Sequence, residues 1–169
     1  ADVEARLIAW DTSGARTGVA IPLVFHDGLH EHLRLYLLGL LAARRNDQAR
    51  TGEMAAALAE LPVPVGAETI VEHLARTLDA EALRLQGRLA EAVATLERLK
   101  TEVWFQFAVG SPFFAGTIER FLRGELLANV GRPTEARQWF STIAQRSPYE
   151  LILAAAAARR VAELDATGR

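Results

Sequence analysis

The sequence predicts an all-α chain of stacked helix pairs, about seven helices with long linkers, and three observations carry that prediction. Apolar residues recur every three or four positions in each long segment. Turn-forming residues return at a regular interval. Small residues sit at matched distances on either side of those turns. The clearest stretch is 117–148, where Ile118, Phe121, Leu122, Leu126, Leu127 and Val130 form one helical face. Gly131 stops that helix, because glycine takes the left-handed cap conformation without a Cβ penalty. Pro133 suits the first turn of the next helix, where a missing N–H costs nothing, and Ala136, Trp139, Phe140, Ile143 and Ala144 form its inner face. Ser147, Pro148 and Glu150 then read as N-cap, N1 and N3 of a capping box that opens a further helix.

In chain order, Asp2 to Trp10 reads as half a unit, since Val3-Glu4-Ala5-Arg6 aligns with Ala90-Glu91-Ala92-Val93 and Thr134-Glu135-Ala136-Arg137. Residues 11–18 form a turn-rich loop, and Val19 to Phe25, with Pro22 inside it, an extended segment lying across helices. Asp27 or Gly28 starts a helix to about Arg45, with Leu29, Leu33, Tyr36, Leu37, Leu40 and Leu41 as its apolar side. After Asn46-Asp47, a second helix from about Gln48 to Leu61 turns Met54, Ala55, Leu58 and Leu61 inward. Pro62 and Pro64 end it. The next pair runs from about Glu68 to Gln86 and from Leu89 to Lys100, hinged at Gly87-Arg88. An aromatic linker with Trp104, Phe105 and Phe107 follows, and Tyr149 to about Asp165 is the last helix.

The turn positions Asn46, Gly87, Gly131 and Gly168 lie 41, 44 and 37 residues apart, and arginine follows three of the four. Seven residues before each turn stand Gly39, Ala80, Gly124 and Val161; five after the first three stand Thr51, Ala92 and Ala136. Small residues at such matched places let packed helices approach closely. Self-similarity at this period marks helical repeats that bury their apolar faces by stacking.

Gly124, Leu127, Gly131, Ala136, Phe140 and Pro148 resemble, at the right spacings, the signature of the tetratricopeptide repeat (TPR) family. Ala80, Leu83, Gly87, Ala92 and Leu96 resemble it in a second unit, and Gly39, Thr51 and Ala55 in a third. The resemblance implies a single domain over 1–169, a right-handed solenoid of antiparallel helix pairs. Its parts would be a half unit at 1–27, units at about 28–66, 67–110 and 111–148, and a terminal helix at 149–169. The units exceed the family's length of about 34 residues. Where the family often places an aromatic early in the first helix, this chain has Leu35, Arg76 and Arg120. Starting in a second helix and finishing after a first, without an initiator methionine, the chain is expected to be a segment of a longer protein.

Composition narrows the function. Half of the 169 residues are hydrophobic and 24% charged, a globular balance. A formal charge of −2 argues against nucleic-acid binding, which needs a basic excess. There is no cysteine, so disulfide and thiolate chemistry are excluded. The apolar run Leu33 to Ala43 is broken by Arg34 and is shorter than the ~20 residues a membrane span needs. No signal peptide is visible, and the expected compartment is the cytoplasm. The basic residues are 18 arginines to one lysine, Lys100, as a G+C-rich coding sequence would favour.

No residue pattern announces a reaction, and the chain is read as non-enzymatic. His26, Asp27, His30, Glu31 and His32 are the densest group of metal-ligand types, but a helix start divides them and no H-e-x-x-H spacing is present. They read as a polar helix N-terminus, with no metal or cofactor expected, and His73 as a surface or interhelix residue. None of Ser13, Ser111, Ser141 and Ser147 stands in a nucleophile elbow, and no glycine-rich loop resembles a phosphate cradle. The carboxylates read as solvated or paired with arginines three or four residues away, as Glu31 with Arg34.

The family resemblance implies a non-catalytic scaffold whose first helices line a groove for a peptide or partner helix. Carried over position by position, the partner-binding set is Tyr36 and Arg44, then Thr77, Glu81 and Arg84, then Phe121, Glu125 and Asn129. An aromatic anchor with a polar rim suits peptide recognition. The Lys/Asn clamp that some members use for a C-terminal carboxylate is matched by Asn129 alone. A second reading is a ligand-sensing or regulatory segment of a multidomain kinase or transcription regulator, holding a small molecule near Trp104.

Overall fold

The computed structural model describes residues 2–12, 28–100, 112–113, 115–143 and 148–167. The expected extended segment at 19–25, the aromatic linker at 104–107, Ser13, His26, Asp27, Ser111, Ala144, the Ser147 cap and the Gly168 turn lie outside them. Among the described residues every regular element is helical: α1 (Val3–Ile8), α2 (His30–Arg44), α3 (Gln48–Glu60), α4 (Glu68–Leu85), α5 (Leu89–Glu97), α6 (Thr117–Asn129), α7 (Pro133–Ser141) and α8 (Leu151–Thr167), the last preceded by a 3-10 turn at Pro148–Glu150. With the short α1, the described residues hold eight helices. No helix among them is long and apolar enough to cross a membrane.

Helix boundaries follow the turn chemistry. Asn46, Gly87 and Gly131 all have positive φ, and Asn46 is the only non-glycine residue with that conformation among those described. At Asn46 and Gly131 the reversal frees two amides to bond back into the helix. Asp47 donates to the Ala42 carbonyl and Asn46 to that of Ala43; Arg132 donates to Leu127 and Gly131 to Ala128. This paired pattern satisfies carbonyls that a helix end otherwise leaves bare. Each next helix then needs acceptors for its first amides. Asp47 supplies one directly, its carboxylate accepting from the Arg50 amide at 3.0 Å. Arg88 and Arg132, at the same place in α5 and α7, have no acceptor to offer. Their guanidiniums instead grip Glu91 and Glu135, three residues on, through two bonds each. Those arginines hold both carboxyls below the ordinary carboxylate range.

Contacts divide the chain into two compact units, Ala1–Gln86 and Gly87–Arg169. The boundary falls at the Gly87 turn, which the sequence places inside one repeat. In the first unit α2 packs on α1, α3 and α4, and α3 also packs on α4. With neighbours on several sides, α2 buries Leu35 and Leu38 besides the expected Leu33, Tyr36 and Leu40. In the second unit α6 packs on α5, α7 and α8, and α7 also packs on α8. Both units therefore contain the same triplet: a first helix, the second helix across its turn, and the next first helix, each touching the other two.

The small residues explain how close those contacts are. Thr51, Ala92 and Ala136, all five residues past a turn, are 0% exposed. A Cβ added to Gly39 would lie 2.5 Å from Leu78 on α4, and one on Gly124 would lie 2.7 Å from the Phe140 ring on α7. Thus Gly124 makes room within its own pair, while Gly39 makes room for the following first helix.

The second unit is also held by buried charge. Arg120, on α6, is 6% exposed, and Glu150, in the 3-10 turn, is 0% exposed; the two form an ion pair. Arg120 also donates to the Thr142 carbonyl at 2.9 Å, the Thr142 hydroxyl at 3.1 Å and the Ala115 carbonyl at 2.9 Å. One side chain therefore joins the lead-in to α6, the end of α7 and the entry to α8. Glu150, which the sequence assigns to a capping box, is the wholly buried partner of this arginine. One turn further along, Arg123 donates to the Leu96 carbonyl, pairs with Glu119 at 3.4 Å and lies 4.2 Å over the Trp139 ring.

Candidate partner-binding surface

The eight residues expected to line a groove fall into two sets, one on each unit. In the first unit Tyr36 is buried on α2 and Arg44 is exposed at its last turn. On α4, Thr77, Glu81 and Arg84 follow one another at helical spacing, but Thr77 and Glu81 are each only 1% exposed. Their polar atoms are used locally. The Thr77 hydroxyl donates to the His73 carbonyl at 2.7 Å, and Glu81 accepts from Arg84 at 2.6 Å. Arg84 is partly exposed and covers the Glu81 carboxylate, so of the three it is the one that presents charge outward.

In the second unit Phe121, Glu125 and Asn129 stand four residues apart along α6, none of them buried. The Phe121 ring meets Phe140 edge-on with centroids 5.3 Å apart, which fixes its orientation. Glu125 accepts from Arg160 on α8 at 2.7 Å, and Arg160 also pairs with Glu163. These two carboxylates hold the Arg160 guanidinium above its ordinary pKa, Glu163 contributing more. The Asn129 amide donates to the Glu125 carbonyl of its own helix at 2.9 Å, leaving its side-chain oxygen as the group it offers. The surface is therefore an aromatic edge beside an ordered Glu–Arg–Glu row.

Arg160 was not among the residues expected here. The sequence shows it as half of a basic pair, and its spacing to Glu163 was legible, but Glu125 lies 35 residues away. The Glu31–Arg34 pairing does form, with Arg34 donating to Glu31 at 2.9 Å and the Thr12 hydroxyl donating to the same carboxylate at 2.8 Å.

The carboxylates in both sets are tied to arginines: Glu81 to Arg84, and Glu125 and Glu163 to Arg160. Among the described residues no three His, Asp or Glu side chains gather as metal ligands do. The linker around Trp104, proposed as the floor of a small-molecule cavity, lies outside the described residues. Comparison of the chain with family models, with curated proteins and with solved structures gives no match in any of the three.

Proposed function

We propose that this chain is a TPR-like array, of the class of right-handed solenoids of antiparallel helix pairs, and that it works as a non-catalytic scaffold for a peptide or partner helix. The observation that supports this most directly is the recurrence of one packing triplet, α2/α3/α4 and α6/α7/α8, with left-handed turn residues and fully buried small residues at matched positions. In a repeat of this kind the first helices line the groove, and their exposed and half-buried side chains carry the binding groups. In the second unit these are Phe121, Glu125 and Asn129, joined by Arg160; in the first they are Arg84 and Arg44. The mixture of an aromatic anchor with ordered charges of both signs fits a peptide held at one or two hot spots inside a polar rim.

The test is selection of binding peptides from a random displayed library against the whole chain, followed by affinity measurement on single variants. Phe121→Ala and Arg160→Ala, or Arg84→Ala for a peptide bound on the first unit, should weaken a selected peptide by about tenfold or more, the scale of a hot spot. The helical circular dichroism should stay unchanged. Peptides whose affinity is indifferent to all three substitutions would overturn the assignment of this surface.

A further inference from the structure

His32 is the buried ionisable group that neither the packing nor the proposed surface uses. It is 3% exposed, and neither ring nitrogen has a hydrogen-bond partner. A neutral imidazole has one donor and one acceptor, and a protonated one has two donors and a charge. The neutral ring already forgoes both bonds here, and the cation would add an unsolvated charge to that deficit. Position worsens the cost, because His32 is the third residue of α2, at the positive end of the helix dipole.

Its charged surroundings offer little relief. On α2 itself Glu31 is the group whose charge acts on His32, but that carboxylate is held by Arg34 and Thr12. His30 stacks on Trp10 with centroids 5.8 Å apart, and Arg44 is at the far end of the helix. From α1, Glu4 is paired with Arg45, and Arg6 would repel a cation. From α3, Glu53 is paired with Arg50, and Glu60 is at the last position. From α4, Glu72 is paired with Arg76 and Glu81 with Arg84; Glu68, His73 and Asp79 are the other titratable groups.

We propose that His32 is an acid-sensitive latch, and that taking up a proton on its ring loosens the packing of α2 within the first unit. Burial pushes the His32 pKa below the usual 6.5, with Glu31 pulling weakly the other way. Because the folded value is the lower one, the stabilising effect is complete above pH 6.5 and is lost as pH falls from there through the folded value. One proton taken up on opening raises the opening constant by up to about tenfold per pH unit in that window. The proposal does not depend on the scaffold reading.

Hydrogen exchange on the whole chain tests it, with exchange of the α6 segment as an internal reference. Between pH 7.5 and 5.5, after correction for intrinsic exchange, the 30–44 segment should lose protection severalfold, up to about tenfold, while 117–129 does not. His32→Leu and the more polar His32→Gln should both abolish the difference, while His30→Gln and His73→Gln should leave it. The wild-type ring is also followed by NMR, a measurement that needs no variant to fold: it should stay neutral through pH 6.5 while α2 is protected. A His32 ring that titrates at or above 6.5 in the folded chain, or equal loss of protection in both segments, would overturn the proposal.

Discussion

The Arg120–Glu150 pair makes the most demanding prediction about how the second unit holds together. Replacing Arg120 with methionine keeps an unbranched apolar stem but removes the guanidinium and every donor it carries. Glu150 is then left at 0% exposure without the guanidinium, and the carbonyls of Ala115 and Thr142 lose their donor. Removing one member of a buried pair costs about 3–5 kcal/mol, because the remaining charge stays desolvated. Glu150→Gln keeps the shape and an acceptor, and should cost less, about 1–3 kcal/mol. Combining Arg120→Met with Glu150→Leu removes both charges at once, and apolar replacement of a whole buried pair is often close to neutral. The double variant should therefore be more stable than Arg120→Met alone. Urea unfolding followed by circular dichroism gives these differences, and exchange protection of the 117–129 segment assigns them to the second unit. The effect of Arg120→Met should also survive molar salt, unlike a contribution from the exposed Arg88–Glu91 pair, which salt screens. If Arg120→Met costs less than about 1 kcal/mol, or the double variant is as unstable as the single costs added, the pair does not organise this unit.

Two glycines in helix interiors should respond oppositely to alanine. Gly124→Ala pushes a methyl into a Phe140 ring that is itself buried and should destabilise by about 1–2 kcal/mol net, overpacking outweighing the gain in helix propensity. At Gly52 nothing lies within 4 Å of an added Cβ, so Gly52→Ala should stabilise by about 0.5–1 kcal/mol; thermal melts decide both. Acid below the histidine range has its own signature. Hydrogen bonding to Arg34 lowers the Glu31 pKa from its ordinary 4.5, so the pair stabilises above that value and its contribution fades as pH falls further. Arg34→Gln should remove a contribution of about 0.3–0.5 kcal/mol at pH 7 and leave nothing to lose at pH 3, measured by urea unfolding at both.

The sequence made the helix ends legible because each requires something only a few residues supply. A reversed backbone needs glycine or asparagine, and a close helix approach needs a side chain the size of alanine or threonine, so Asn46, Gly131, Thr51, Ala92 and Ala136 could be read without a structure. The faces of the helices were less legible. Periodicity shows that a helix has a buried stripe, but not how many neighbours will cover it. Tyr36, Thr77 and Glu81 were carried onto a groove by register alone, and the structure buries all three. Ion pairs divide the same way: Glu31–Arg34 and Arg88–Glu91 lie within one helical turn and follow from spacing, while Glu125–Arg160 and Arg120–Glu150 depend on tertiary packing across 35 and 30 residues.

On the proposed TPR-like reading, Arg120 gives a physical reason why an arginine stands where that signature often has an aromatic. The carbonyls of Ala115, just before α6, and Thr142, at the end of α7, must find donors, and Arg120 reaches both. A phenylalanine at this place could donate to neither carbonyl, and a tyrosine or tryptophan has a single donor for the two. An arginine satisfies both, with its charge met by Glu150. Arg76 stands at the corresponding position of α4, where it is partly exposed and bonded to Glu72 on its own helix. The same residue type is thus a surface pair in one unit and a buried tie in the other. It follows that Arg76→Met should shift the unfolding of the first unit by under about 1 kcal/mol, although the sequence alone ranks the two arginines equally. A cost at Arg76 comparable to that at Arg120 would show that position in the repeat, and not the carbonyls each guanidinium reaches, sets the requirement.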